Sequence, residues 1–467
     1  MKQADRLRSD AISIWQAGVC AVAPNHLIRR TLRVEGANLW IADQPVDLRQ
    51  IDRIAVVGAG KASAAMARAV EETLGPRIAK EKNLTGWINV PADQVDPQPA
   101  HIHLHAARPA TVNEPTEEGA AGTRRILEIV DSLGPRDLCL CLISGGGSAL
   151  LPAPVQGVTV EDKRQVALAL SEAGVQIGEI NTVRSALSRI KCGGLARACR
   201  ASRLVGLIIS DVLGDPLPSI ASGPTIVDQT PDPARALDIL ERANAAKRGV
   251  SPAVFEYLHA AARRGTTESS TAIPTRTEVR NLLIGNNATA VDGAGIRAES
   301  LGYRYLMRCD TNPNVEAEAV GRQMADLAVH MLADTNPDAP DCLITGGEPV
   351  VRLADRSIRG KGGRNQQLVL AALVRLLQYE TPIAGRLVIL SGGTDGEDGP
   401  TDAAGAVIDD RVLDAVRRSN LDPADYLARN DAYRFFQSLD SLLITGPTGT
   451  NVCDLRVALI EKKSSSR

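Results

Sequence analysis

The sequence predicts an α/β fold in which largely parallel sheets are covered by helices. Short, continuous apolar runs recur along the 467-residue chain, and such runs are typical of strands that are buried on both faces. Each run ends in a cluster of small polar residues and is followed by a helical pattern, which is the order of a strand–turn–helix unit. A polar stretch near residues 260–278 separates two series of these units, so we expect two domains.

Composition and charge exclude several classes of partner. The net charge is only −2 and aromatic residues make up 3% of the chain, which argues against nucleic acid as a ligand. No apolar stretch approaches the roughly 18–20 residues of a membrane-spanning helix, so we expect no membrane partner. Charged residues occupy the N-terminal stretch where a signal peptide has its apolar core, and the eight cysteines show no metal-site spacing. We therefore expect a soluble, cytoplasmic protein, and the sequence leaves open whether it is a monomer or a homodimer.

The first glycine turn, Gly58-Ala59-Gly60-Lys61, lies between a predicted strand and a predicted helix. It is similar to a Walker A loop and to a dinucleotide fingerprint, but Ala55 and Ser63 stand where these motifs require a further glycine. Lys61 is placed at a helix N-terminus, where the helix dipole disfavours a cation by about 0.3–1 kcal/mol. A bound anion would remove that conflict, so Gly58, Gly60 and Lys61 are candidate phosphate ligands. A lysine that simply reaches water is the alternative.

The second glycine turn, Ser144-Gly145-Gly146-Gly147-Ser148, follows a short apolar run that predicts a fully buried strand. Ligands of α/β sheets bind at the carboxyl ends of the strands, where this turn would lie. Glycine lets a ligand approach the backbone N–H groups, and the serine hydroxyls add donors, which suits a phosphate. A tight turn without a ligand is the alternative. Lys191, in a basic stretch that leads into Gly193-Gly194, is a further candidate for phosphate, with surface solvation as the alternative.

The second series of units contains one basic and one acidic loop. Residues 359–367 place two arginines and a lysine among glycines before a helix, an arrangement that suits carboxylate or phosphate. Residues 396–402 are acidic and rich in glycine. Asp211 and Asp395 follow predicted strands and have the oxygen ligands that Mg²⁺ prefers. Together these features supply what phosphoryl transfer needs: cations for the phosphates, carboxylates for Mg²⁺ and a proton acceptor.

Several stretches between about residues 10 and 460 resemble one protein family when they are taken together. They are residues 57–62, 143–150, 209–211, 221–225, 346–349, 360–366, 391–396 and 402–406. In this order they are similar to the glycerate kinases of the MOFRL family, which form 2-phosphoglycerate. The resemblance implies two lobes, a Rossmann-like α/β/α domain and a smaller α/β domain, with the active site in the cleft between them. It also implies that ATP and Mg²⁺ are used to phosphorylate D-glycerate.

The resemblance further assigns roles to single residues. Lys61 and Arg364 correspond to active-site residues of the family. Arg364 would bind the carboxylate of glycerate or the moving phosphoryl group, with Glu348 and Asn365 as further substrate ligands. Members of the family are also called hydroxypyruvate reductases, so that name is expected for some relatives.

Two points stay open within this resemblance. Asp211 and Asp395 would bind Mg²⁺ or act as the general base, and the sequence does not separate these roles. Arg108-Pro109 stands where the family usually has a His-Pro pair, and the segment that follows is longer. The hydroxy acid that the enzyme accepts is therefore left open.

The domain ranges that we predict are 1–262 for the Rossmann-like N-terminal domain, 263–278 for a linker, 279–460 for the MOFRL-type domain and 461–467 for a disordered tail. Two other functions compete with the kinase. An NAD(P)-dependent hydroxypyruvate reductase needs a complete dinucleotide fingerprint and an acidic residue about 20 positions further on; Ser63 breaks the first and Glu81 matches the second only loosely. A non-catalytic phosphosugar-binding sensor needs no acidic cluster, so the acidic loop argues against it.

Overall fold

The computed structural model describes residues 3–110, 114–265, 277–312, 314–379 and 386–461. The chain divides into two compact units. The N-terminal unit comprises residues 27–210 and 215–284, and the C-terminal unit comprises residues 1–26, 211–214 and 285–467. Most of the predicted linker at 263–278 and of the predicted tail at 461–467 lies outside the described residues.

Helices and strands are interspersed along the described chain. The α-helices are α1 (Gln3–Ala21), α2 (Pro24–Thr31), α3 (Ser63–Glu81), α4 (Glu117–Asp131), α5 (Gly147–Leu150), α6 (Val160–Glu172), α7 (Ile177–Ala186), α8 (Gly194–Ala198), α9 (Pro233–Arg242), α10 (Pro252–Gly265), α11 (Asn287–Ser300), α12 (Ala317–Ala333), α13 (Arg364–Leu376), α14 (Asp410–Arg418), α15 (Pro423–Ala428) and α16 (Ala432–Ser438). The strands are β1 (Leu32–Glu35), β2 (Asn38–Ile41), β3 (Gln44–Asp47), β4 (Arg53–Ala59), β5 (Thr85–Pro91), β6 (Ile102–Arg108), β7 (Asp137–Ile143), β8 (Arg203–Ile209), β9 (Glu278–Gly285), β10 (Tyr305–Cys309), β11 (Cys342–Gly347), β12 (Leu387–Gly393), β13 (Gly405–Ile408), β14 (Leu442–Leu443) and β15 (Asp454–Ile460). Within the described residues, none of these helices is both long and apolar enough to cross a membrane.

The main sheet of the N-terminal unit has the strand order β6-β5-β4-β7-β8-β9. Strands β4 to β8 pair in parallel, which confirms the prediction for this half of the chain. Every residue of β7 is buried, as expected for a strand with helices on both sides of the sheet. Ala59 pairs with Ile143 at the carboxyl ends of β4 and β7, so the two glycine turns leave the sheet side by side.

The sheet of the C-terminal unit is mixed, so the prediction of a largely parallel sheet was wrong here. Its strand order is β10-β11-β15-β12-β13-β14. The last strand, β15, lies antiparallel between β11 and β12. All residues of β15 are buried. A fully buried strand has the same continuous apolar sequence whether its neighbours run parallel or antiparallel, and this is why the pattern did not reveal its direction.

Helix α1 belongs to the C-terminal unit, although its residues fall within the range that we predicted for the N-terminal domain. The indole of Trp15 is buried, and its Nε1 donates to the carbonyl oxygen of Gly392 at 3.3 Å. Gly18 lets α1 lie directly on α11 and β15, because a Cβ atom at this position would collide with Leu455 and with the backbone of Ala290. Helix α1 therefore forms part of the hydrophobic core that also contains residues of α11 and β15.

Candidate active site

The two glycine turns of the N-terminal unit hold each other in place. The backbone N–H of Ser144 donates to the carbonyl oxygen of Ala59 at 3.2 Å, and that of Lys61 donates to Gly145 at 2.9 Å. Gly60 has a φ of +149°, and a Cβ atom there would collide with Ser144. Glycine is required at this position because the turns cross without space for a side chain.

Ser144 supports the turn with its side chain. Ser144 is 1% exposed, and its hydroxyl accepts a hydrogen bond from the backbone N–H of Ala62 at 3.0 Å and contacts the hydroxyl of Ser63 at 3.1 Å. Ser63 stands where a dinucleotide fingerprint has its third glycine, and its hydroxyl also donates to the carbonyl oxygen of Leu142 at 3.4 Å. The hydroxyl of Ser144 therefore faces the protein, and we assign it to positioning the turn instead of to contact with a phosphate.

Two cationic side chains border Gly146 in the second glycine turn. A Cβ atom at this glycine would lie 3.6 Å from Nη2 of Arg108 and 3.7 Å from Cγ of Lys61. Arg108 is 3% exposed, and burial lowers its pKa while Asp93 opposes that shift. The sequence marked Arg108 only as a departure from the family pattern. The parallel order of β6, β5, β4 and β7 brings it to the same turn as Lys61.

Ser148, the last residue of the second glycine turn, is surrounded by hydrogen-bond donors. Its Oγ accepts from Nζ of Lys191 at 2.9 Å and from Nη2 of Arg184 at 3.4 Å, and lies 3.2 Å from Oγ of Ser222. The structure thus places the predicted Lys191 beside the predicted turn. The sequence indicated Arg184 only as a cation of the same basic stretch as Lys191, and Ser222 was not predicted as a site residue.

Arg364, the first residue of α13, is the centre of a charged cluster in the C-terminal unit. Its Nε and Nη2 donate to the two oxygens of Asp454 at 2.7 and 3.0 Å, and its Nη1 lies 3.0 Å from Oε1 of Glu348. Burial acts to lower the pKa of Arg364, but Asp454 and Glu348 together raise it well above its ordinary value. The guanidinium is therefore permanently charged and held in one orientation.

Asp454, which the sequence did not reveal, reaches this cluster through strand register. It is the first residue of β15, and it pairs with Gly347 at the end of β11 and with Gly393 at the end of β12. Because β15 runs antiparallel, it begins at the edge where its two neighbours end. A carboxylate that precedes an apolar run was the only signal in the sequence.

Asn365 and Asp398 build the start of α13. The oxygens of Asp398 accept from the backbone N–H groups of Asn365 at 3.0 Å and Gln366 at 2.8 Å. The side-chain amide of Asn365 donates to Asp454 at 3.0 Å and accepts from Ser391 at 2.6 Å. Asn365 is 1% exposed, so we assign it to positioning instead of the substrate contact that we predicted. Burial raises the pKa of Asp398 to about 7.

The predicted carboxylates lie around Cys453. Its Sγ donates to the backbone oxygen of Asp211 at 3.1 Å and lies 3.8 Å from Oε2 of Glu348. Burial raises the pKa of Glu348; Arg364 opposes this shift, and the charges of Asp454 and Asp395 add to it. Asp395 accepts from the backbone N–H of Glu397 at 3.2 Å. The C-terminal unit thus gathers Asp211, Glu348, Asp395 and Arg364 in one region.

The carboxylates of this region could hold Mg²⁺ only together with oxygen atoms of a bound ligand. Among the residues that the structure describes, no group of three or more His, Cys, Asp or Glu side chains is arranged to hold a metal ion. Mg²⁺ is, however, usually held by one or two carboxylates together with phosphate oxygens of the substrate. Asp211 and Asp395 suit that arrangement, since their carboxylate oxygens are the hard ligands that this ion prefers.

Comparison with known proteins identifies the family. One family model, described as a domain of unknown function (DUF4147), matches residues 10–259, and a second, described as the MOFRL family, matches residues 341–454. A protein from Thermotoga maritima named D-glycerate 2-kinase is 35% identical over 98% of this chain and 99% of its own length. The chain belongs to the MOFRL family of glycerate kinases. The crystal structure of a glycerate kinase from Thermotoga maritima is similar with a TM-score of 0.80 at 33% identity, covering 98% of this chain and 100% of that one.

Membership of the glycerate kinase family makes this chain a kinase with a two-domain α/β fold, as the sequence predicted. Some relatives of these glycerate kinases carry another name. A protein from Agrobacterium vitis that is 37% identical over 87% of this chain and 99% of its own length is called a putative hydroxypyruvate reductase.

Proposed function

We propose that this kinase transfers the γ-phosphoryl group of ATP to the 2-hydroxyl of D-glycerate and forms 2-phospho-D-glycerate. The observation that carries the proposal is the fixation of Arg364 between Asp454 and Glu348. A guanidinium has five N–H donors, and the three contacts to these carboxylates leave two for a ligand. A planar, oriented guanidinium suits the small carboxylate of glycerate. The relative named D-glycerate 2-kinase supports the substrate.

The N-terminal unit supplies the phosphate contacts in this proposal. Lys61, Lys191, the hydroxyl of Ser148 and the backbone N–H groups of Gly145 and Gly146 are the donors. The N–H of Gly147, which the sequence also suggested, donates instead to the carbonyl oxygen of Ser144 at 3.2 Å. Donors that are already oriented stabilise charge on a transferring phosphoryl group without reorganisation. Lys61 is the residue that we assign to the charge that moves during transfer, because its side chain borders Gly146 in the middle of the turn.

The C-terminal unit supplies the substrate contact and the carboxylates. We assign Arg364 to the carboxylate of glycerate, and Asp211 and Asp395 to Mg²⁺ together with the phosphates of ATP. When bound, Mg²⁺ neutralises charge on the phosphate oxygens. Glu348 is the better candidate for accepting the proton of the substrate hydroxyl, because burial raises the pKa of its carboxyl above the ordinary value and makes it a stronger base.

The observed contacts do not favour the two competing functions. A reductase of the dinucleotide-binding type needs an acidic residue near the carboxyl end of the second strand to bind the ribose. Glu81 lies instead at the end of α3, before β5 begins, and its carboxylate is 3.9 Å from Arg77. A sensor for phosphosugars would not need the carboxylates that surround Arg364. We also propose a cytoplasmic enzyme, which agrees with the eight free cysteines.

One assay tests the reaction. The purified protein is incubated with ATP, Mg²⁺ and D-glycerate or L-glycerate, and phosphorus NMR identifies the product. A parallel incubation contains NADH, ATP, Mg²⁺ and hydroxypyruvate. We expect ATP consumption with D-glycerate and a phosphate on the 2-oxygen. A product phosphorylated on the 3-oxygen, or NADH oxidation with hydroxypyruvate and no ATP consumption, would contradict the proposal.

A substitution of Lys61 tests the phosphate site. Loss of one oriented contact to transition-state charge typically costs about 10²–10³ in turnover, so Lys61→Met should lower kcat by that factor. Lys80→Met is the matched control, because Lys80 lies exposed in the last turn of α3, the helix that begins two residues after Lys61. Near-normal turnover of the Lys61 variant would remove this residue from the mechanism.

A further inference from the structure

A cavity of about 290 Å³ in the N-terminal unit has a largely basic lining. Lys163 of α6, Arg184 of α7 and Lys191, which precedes α8, line it together with Ser148, and Arg164 lies beside them. Ser148 and Lys191 also belong to the second glycine turn and its donors. The cavity therefore adjoins the candidate phosphate site, but it adds cations that the proposed function has not used.

Two of these cations are buried and donate hydrogen bonds to uncharged groups. Lys163 is 8% exposed, and its Nζ donates to the carbonyl oxygen of Leu187 at 3.0 Å. Lys191 is 3% exposed, and its Nζ donates to the hydroxyl of Ser148 at 2.9 Å. An ammonium group has three N–H donors, so these contacts leave two on each lysine. Burying such a group without a counter-charge is costly, and proteins rarely keep this arrangement unless it has a use.

The charges around the two lysines increase that cost. Burial is the main cause that lowers the pKa of Lys163 to about 7, and the nearby Arg184 adds to the shift. Burial also lowers the pKa of Lys191 well below its ordinary value; Arg184 and Lys163 lower it further, and only the thiol of Cys192 opposes them. The three cations repel one another, and the two lysines have little contact with solvent that could weaken this repulsion.

The acidic residues near the cavity lie at its surface. Arg164, at the edge, is paired with Glu161 at 2.8 Å. Glu114 also lines the cavity, but it is exposed and contributes to the pKa of Arg164. These carboxylates thus interact with Arg164 at the edge of the cavity. An external anion could neutralise the three cations further inside.

We propose that this cavity binds a phosphate-bearing anion, which Lys163, Arg184 and Lys191 contact together. The inference rests on the proposed function in one respect, because the phosphate chain of the nucleotide is one possible source of the anion. A separate phosphorylated metabolite is the other. Pro152 and Leu168 line the same cavity and give the non-phosphate part of such a ligand an apolar surface.

Binding of tripolyphosphate, measured by calorimetry and by thermal unfolding, tests the proposal without any need for catalysis. The variants are Lys163→Met and, as a matched control, Lys82→Met. Lys82 belongs to the same unit and also donates to a backbone carbonyl, that of Ile51 at 3.1 Å, but it does not line the cavity.

We expect the wild type and the Lys82 variant to bind tripolyphosphate with equal affinity. Loss of one charge-assisted contact should weaken binding by the Lys163 variant about tenfold or more. Without ligand, the Lys163 variant should melt at or above the wild-type temperature, because a buried charge is gone. A lower melting temperature with undiminished binding would show that Lys163 has only a structural role and would overturn the proposal, as would a wild type that binds no tripolyphosphate at millimolar concentration.

Competition identifies the source of the anion. If saturating ATP prevents tripolyphosphate binding, the cavity takes the nucleotide phosphates; if both bind independently, it takes a separate phosphorylated ligand. Either result supports the anion site. An active glycerate kinase that fails to bind tripolyphosphate would contradict this inference alone, whereas a chain that binds it and lacks kinase activity would contradict only the proposed function.

Discussion

Arg364 and Asp454 form a two-point ion pair across 90 positions of sequence, with N–O distances of 2.7 and 3.0 Å. Asp454 is fully buried, whereas the side chain of Arg364 remains 34% exposed. The buried carboxylate of Asp454 therefore fixes the orientation of Arg364, and the partly exposed guanidinium can bind a ligand. Asn365 helps to hold this carboxylate in place by donating to it at 3.0 Å.

Asp454→Asn should lower catalysis by releasing Arg364. The amide cannot accept both hydrogen bonds of the guanidinium, and a buried donor or acceptor left unsatisfied costs about 1–3 kcal/mol of stability. We expect a rise in KM for glycerate together with a lower melting temperature. The control is Asp326→Asn, which breaks the pair of Asp326 in α12 with Arg375, a residue of the same helix as Arg364. Both side chains of this pair are over a third exposed, so stability should change by about 0–1 kcal/mol. Equal effects of the two substitutions would contradict the special role of Asp454.

The two serines of the glycine turn should respond differently to alanine. Ser144→Ala leaves the buried N–H of Ala62 without its acceptor, which should destabilise the protein by about 1–3 kcal/mol. Ser148→Ala removes the acceptor of the buried ammonium group of Lys191, so it too should lower stability, but it should in addition raise KM for ATP, which Ser144→Ala should not do directly. Chemical unfolding and steady-state kinetics of both variants separate these effects. A Ser148 variant with lost stability and unchanged KM would contradict the assignment.

Glu348→Gln should remove the acidic limb of the pH–rate profile. Burial raises the pKa of this carboxyl, so the wild type should lose kcat as the pH falls through that raised value and the base takes up a proton. The amide cannot accept a proton, and loss of a general base typically costs about 10²–10⁴ in rate. Glu318→Gln, which changes a carboxylate paired with Arg322, should keep the wild-type profile. A Glu348 variant that retains the acidic limb would assign the proton to another group.

Asp398→Asn should change how stability depends on pH. Burial raises the pKa of Asp398 from 3.8 to about 7, so the folded state keeps a proton that the unfolded state releases. Stability therefore falls as the pH rises through this window, from about 4 to 7. The variant should lack this contribution, and its free energy of unfolding should decline less over the same range. Urea unfolding at several pH values measures the difference, and parallel curves would show that Asp398 does not titrate there.

The sequence by itself determined the features that depend on neighbours in the chain. The apolar run of β7 and the glycines after it specify a buried strand and a tight turn, because both depend on local backbone geometry and side-chain polarity. Lys61 was likewise found from its position at the start of a helix, and Arg364 was found in a basic loop and given its role by the family resemblance. The family followed from the order of such motifs along the chain.

Only the tertiary structure decided which side chains meet. The antiparallel insertion of β15 places Asp454 between the ends of β11 and β12 and so gives Arg364 its partner. The order of the parallel strands brings Arg108 to the turn of Lys61, and the packing of α6 against α7 brings Lys163 to Arg184. Strand order and register are set by burial of whole faces against distant segments, and a linear pattern of polarity does not record which segments these are.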